Sequence, residues 1–180
     1  MAVSDGTNRI QIQKKFDDSE VVSLLERASR NCPWSGDLWA FYIRFLAQMD
    51  NYPFENLIGV KEKAVAVPSQ PTELAKFWCV WLSLCRLAVV DWDPLTEEVE
   101  FLESELSECL ETIGNRKVHI CSRAHLIDSA SPDEYIIGRL MVYLKTQLNN
   151  EEEARAIWDL MSKANASTCN YWLDRIAWER

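Results

Sequence analysis

From Asp18 to Arg180, apolar residues return every three or four positions, in segments a few turns long separated by caps and prolines. That period commits the chain to helices. It also commits each helix to a partner, because most helical stability in water comes from packing an amphipathic face. Five glycines and six prolines in 180 residues leave few breakers inside the segments. The one short β-prone run, Val118–Cys121, has no second run to pair with.

The boundaries can be placed from local chemistry. A helix is expected over about 18–29, burying Val21, Val22, Leu24, Leu25 and Ala28, and Pro33 stops it. Ser35 is placed to cap the next, about 36–49, which carries Leu38, Trp39, Tyr42, Ile43, Phe45 and Leu46. Pro53 suits the first turn of a third helix, which ends near 67 before Pro68 and Pro71. A fourth, from about 72, carries Leu74, Phe77, Trp78, Trp81, Leu82 and Cys85 and is apolar around most of its circumference, so it should be central.

Asp93-Pro94 offers a cap and a first-turn proline for a helix with the stripe Leu95, Val99, Leu102, Leu106, Leu110 and Ile113, ending at Gly114. A weaker helical pattern covers about 117–128. Ser131-Pro132-Asp133-Glu134 has the form of a capping box and opens a helix to about 148. Asn150 with Glu153 repeats that logic for a helix ending near 165, and Ser167 or Thr168 caps the last. That gives about nine helices.

The formal net charge of −9 is concentrated, since residues 71–115 hold ten carboxylates against Lys76 and Arg86 alone. Nucleic-acid binders need basic patches to neutralise phosphate, and no contiguous one occurs here. No apolar run reaches the roughly 20 residues that a membrane span needs, and the N-terminus lacks an apolar signal core. Six cysteines without a CxxC pair fit reduced, buried thiols in an intracellular protein better than disulfides.

Eight tryptophans carry a further pattern. Trp39 is followed by Trp78 and Trp81 at intervals plausible for a repeat of helical hairpins. Trp39 with Tyr42, and Trp172 with Glu179, resemble the first helix (W-x-x-Y-x-x-x-E) of the half-a-tetratricopeptide (HAT) repeat. Ala154-Arg155-Ala156-Ile157-Trp158-Asp159 resembles its second helix (A-R-x-I-[YW]-E-R-A), and Leu25-Glu26-Arg27-Ala28 looks like the tail of another. Trp78, Trp81 and Cys85 make a degenerate copy, and Leu46 and Arg175 stand where the motif has glutamate and tyrosine. The glycine and regular 34-residue spacing of the ordinary tetratricopeptide repeat are not evident.

Within HAT proteins, Asn31–Trp39 and Glu153–Trp158 look most like the splicing factors of the squamous-cell-carcinoma-antigen-recognised-by-T-cells type and their fungal relatives. The resemblance implies an all-α, right-handed α-solenoid over 18–180, behind a flexible 1–17, as part of a longer array that opens on a second helix and closes on a first. It implies a nuclear, protein-binding scaffold for reassembly of U4/U6 small nuclear ribonucleoproteins. HAT scaffolds of messenger-RNA 3′-end cleavage or ribosomal-RNA processing, and a direct RNA-binding helical repeat, are the alternatives. In the splicing group RNA-recognition motifs follow the array, and none of their signatures occurs in these 180 residues. A homodimer is a further partner that such arrays allow.

Two sets of residues stand out. Trp39, Tyr42, Trp78, Trp81, Ala154, Arg155, Trp158, Trp172 and Glu179 are expected to pack repeat against repeat, whereas Trp34 and Trp92, in turns, are the candidates for exposure. Glu97, Glu100, Glu103, Glu105, Glu108 and Glu111 form either a solvated face or a surface for a basic segment of a splicing or RNA-processing protein. His119, Cys121 and His125 fit no zinc spacing. Without a phosphate loop or a nucleophile–base pair, neither catalysis nor a metal or cofactor is expected.

Overall fold

The computed structural model describes residues 17–50, 52–67, 70–116 and 132–180. Eight α-helices lie in these segments: α1 (Asp18–Asn31), α2 (Gly36–Ala47), α3 (Phe54–Ala66), α4 (Pro71–Ala88), α5 (Glu97–Arg116), α6 (Pro132–Gln147), α7 (Glu151–Asn165) and α8 (Cys169–Glu179). No strand occurs among the described residues, so the chain is all-α as expected. Most of the N-terminal tail, the 117–128 helical pattern, the Val118–Cys121 run, the His119/Cys121/His125 group and Ser131, the capping residue of the Ser131–Glu134 box, lie outside them.

Side-chain pairs set the course of the chain. Trp78 Nε1 of α4 donates to Thr112 Oγ1 of α5 at 3.1 Å, and Trp81 Nε1 donates to Glu105 at 2.7 Å, so α5 runs back along α4. By contrast α4 lies parallel to α2, since Lys76 meets Asp37 at 2.7 Å and Gly36 N–H donates to Glu73 at 2.8 Å, both at the helix starts. Parallel pairing continues from α4 to α6, where Cys79 Sγ donates to the Asp133 carbonyl and Arg86 covers the Tyr143 ring. It continues again from α6 to α8, through Tyr135 with Asp174 and Thr146 with Trp178. Two rows result: α2, α4, α6 and α8 in one, α1, α3, α5 and α7 in the other, consecutive helices doubling back between them. This is an α-solenoid, each unit touching its neighbours.

At the centre, α4 packs on α2, α3, α5 and α6. Its Leu74, Ala75, Phe77, Trp78, Cys79, Trp81, Leu82 and Cys85 are all buried, as the nearly all-round apolar pattern requires. The α2–α4 approach is close enough that a Cβ at Gly36 would overlap the Glu73 backbone carbonyl. Any other residue there would push the two helix starts apart.

Several local expectations hold. Ser35 caps α2 by accepting from Leu38 N–H at 3.3 Å. Asn150 accepts from Glu153 N–H at 3.2 Å, and its amide donates to the Glu153 carboxylate at 2.8 Å. Three differ. α5 starts at Glu97, because Asp93 Oδ1 accepts from Leu95 N–H at 2.9 Å and Thr96 Oγ1 donates to the Asp93 carbonyl at 2.9 Å. Those bonds close a turn in place of a helical start, and Leu95 is 85% exposed instead of joining the stripe. Thr168 occupies the cap position of α8, but its hydroxyl donates backwards to the Asn165 carbonyl. Leu24 of α1 points outward, leaving Leu25 as that helix's buried anchor.

Candidate interaction surface

The tryptophans divide by position. Trp39, Tyr42, Trp78, Trp81 and Trp158 are buried. Trp39 stacks on Tyr42 with ring centres 6.3 Å apart and donates to the Pro33 carbonyl, while burial pushes the Tyr42 phenol up to about 12. Ala154 is fully buried, and Trp158 packs edge-on against Tyr171 at 5.6 Å.

Trp172 departs from the expectation. It is 46% exposed, and its indole N–H donates to the Ala166 carbonyl in the preceding turn. The anchor of α8 is instead its neighbour Tyr171, fully buried, whose hydroxyl donates to the Trp158 carbonyl at 3.0 Å. Arg155 and Glu179 do not enter the core either. They meet each other at 3.6 Å on the surface, with the Arg155 guanidinium 5.6 Å above the Trp178 ring. The motif's arginine and glutamate therefore latch α7 to α8 from outside. Trp34 is exposed as expected, whereas Trp92 is half-buried edge-on to Tyr143 at 5.4 Å.

The acidic helix is not one face. Glu105 is buried at 7% exposure and accepts from Trp81 Nε1 and from Lys61 of α3, so it is removed from the proposed acidic surface. Its place one turn from Leu102 and Cys109 puts it on the core side. Lys61, itself buried, bonds Glu105 at 3.1 Å and Glu108 at 2.6 Å. Burial pulls the Lys61 ammonium down, but the hydrogen bonds to Glu108 and Glu105 outweigh it and hold the ammonium above its ordinary value. Glu103 pairs with Lys145 of α6 at 3.4 Å.

Glu97, Glu100 and Glu111 remain exposed and form no ion pair among the described residues. Glu97 and Glu100, with Glu98, lie in the first turn, where the helix dipole favours carboxylates. The surface available to a basic partner is thus the outer edge of α5. Sequence reasoning missed the inward turn of Glu105. The signal was present: 105 falls midway between the stripe positions 102 and 109, and a lysine stood ready on α3.

Among the described residues no group of three or more His, Cys, Asp or Glu side chains could hold a metal. None of the described helices is long and apolar enough to cross a membrane.

No family model matches the chain. Curated proteins do. A human protein named spliceosome associated factor 3, U4/U6 recycling protein, is 30% identical over 164 residues, which cover 89% of this chain and 16% of that protein. The zebrafish protein of the same name is 30% identical over 176 residues, 97% of this chain and 18% of its own. The mouse protein of that name is 29% identical over 164 residues. Over nearly its whole length the chain is a homologue of the spliceosome associated factor 3 proteins, and it spans about a sixth of theirs.

Proposed function

We propose that the chain is a protein-binding scaffold segment, built of HAT hairpins, that acts in pre-mRNA splicing within the nucleus, in the recycling of U4/U6 particles. The observation that carries this reading is similarity over 89–97% of the chain to proteins named for that process. Those names favour splicing over messenger-RNA 3′-end cleavage or ribosomal-RNA processing. The unit binds and does not catalyse. Its buried aromatics hold the stack together, and its exposed carboxylates on α5 meet basic segments of other proteins.

Charge argues against bare RNA as the ligand of this segment. An edge of Glu97, Glu100 and Glu111, unpaired among the described residues, repels phosphate and attracts lysine and arginine. The test has two arms. Residues 1–180 should retain proteins of the U4/U6 particle from nuclear extract, and the triple variant Glu97→Lys, Glu100→Lys, Glu111→Lys should retain far less. In parallel, anisotropy with a bare structured RNA at physiological salt should show no saturation. Tight RNA binding with a steep salt slope would overturn the scaffold reading and put the RNA-binding alternative in its place.

A further inference from the structure

A groove of about 410 Å³ runs between α5 and α7 over α6. Its α5 wall is Glu103, Leu106, Ser107 and Leu110, and its α7 wall is Glu153, Ala156, Ile157 and Leu160. Both sets have the spacing i, i+3, i+4, i+7, so each is one continuous stripe along its helix. Met141 and Leu144 of α6 form the floor. Lys145 joins the two walls at one end, bonding Glu103 at 3.4 Å and Glu153 at 3.2 Å. That end keeps a net negative charge, with exposed Glu100 one turn before Glu103 and exposed Glu152 beside Glu153. The other end, at Leu110 and Leu160, is apolar.

We propose that this groove docks an amphipathic helix of a partner protein, its aliphatic side chains entering between α5 and α7 and an arginine or lysine lying at the Glu103–Glu153 end. The inference deepens the protein-binding reading above and rests on it. The volume falls in the roughly 300–1,000 Å³ range of built ligand sites. It is too small for a whole helix, about 10–12 Å across with its side chains, so it takes the side chains projecting from one. An apolar floor with a graded acidic rim suits the helix-in-groove mode, with anchors at i, i+3 or i+4 and i+7. Complementary charge at one end fixes the direction in which the guest helix lies.

The test uses a fluorescein-labelled 14-residue synthetic peptide with leucines at positions 4, 7 and 11 and arginines at one end, and a twin with glutamates for the arginines. Titrated with residues 1–180, the arginine peptide should saturate, and the glutamate twin should bind at least tenfold more weakly. Ala156→Trp fills the groove from an exposed position, and Ser107→Arg places a cation on its wall. Each should weaken the arginine peptide tenfold or more with helical circular dichroism and Tm unchanged. Absence of saturable binding, equal binding of the two peptides, or full binding by both variants overturns the groove. If Glu97→Lys, outside the groove, weakens binding while Ala156→Trp does not, the groove falls but the acidic scaffold surface stands.

Discussion

Two parts of the stack carry similar tryptophans and treat them oppositely. In the centre, Trp78 and Trp81 of α4 are fully buried, and both indole N–H groups reach α5. At the C-terminal end of the described stack, Trp172 of α8 is 46% exposed and turns its N–H to the turn just before it. The difference lies in the neighbours. α4 is enclosed by four helices, whereas α8 packs mainly on α7 and leaves Trp172, Leu173 and Ile176 exposed. A repeat motif states which residue types occur at a position, and the number of flanking helices decides how much of each is buried.

The largest effect should come from the ionic cluster under the central tryptophans. Glu105→Ala removes one of the two carboxylates that hold buried Lys61, together with the acceptor of Trp81, so it should cost about 3–5 kcal/mol in urea unfolding. Glu105→Gln keeps an acceptor for Trp81 and leaves Lys61 its bond to Glu108, and should cost clearly less. Equal losses would show that the cluster matters only as packing volume.

Truncation of the tryptophans separates the two regions next. Trp81→Ala and Trp158→Ala should each cost about 3–5 kcal/mol, while Trp172→Ala should cost about 1 kcal/mol, the net value of the one hydrogen bond it makes. A Trp172→Ala loss matching that of Trp158→Ala would erase the contrast. Trp34→Ala, in an exposed turn, should stay within about 0.5 kcal/mol.

The last effect is a pH slope confined to the centre. Burial among α4, α5 and α3 pushes the Cys85 thiol from 9.0 up to about 12, with Glu105 adding to the shift. The folded state therefore holds this proton more tightly than the unfolded chain does. The associated stability is complete below pH 9 and declines between about pH 9 and 12. Cys85→Ala should flatten that part of an alkaline melting series. An unchanged slope would mean that the thiol is not sequestered.

Much of this was legible in the residues, for definable reasons. The helices follow from periodicity and caps, and Ser35 and Asn150 cap as their types dictate. The alternation of the two rows follows from motif halves lying on alternate helices, Trp39 on α2 and Ala154-Arg155 on α7. What the pattern could not supply was rotation. On an amphipathic helix one position is about 100°, so Tyr171 and Trp172 exchange core and solvent with a small turn of α8. The same ambiguity hid Glu105, where residue type argued for solvent and the lysine on α3 drew the carboxylate inward. Leu95 failed differently, since the Asp93 carboxylate, accepting from Leu95 N–H, competed with the first helical turn and won.

Contact with nearest neighbours alone has a kinetic side. Each helix can come away only after what lies over it has opened, so the stack should breathe in order and not all at once. Amide hydrogens of α1 and α8, each resting mainly on one other helix, should exchange with deuterium first. Those of α4 should exchange last, once its surroundings have let go. A molecule that loosens from its two outer members inward keeps its middle intact while its outer helices sample other arrangements.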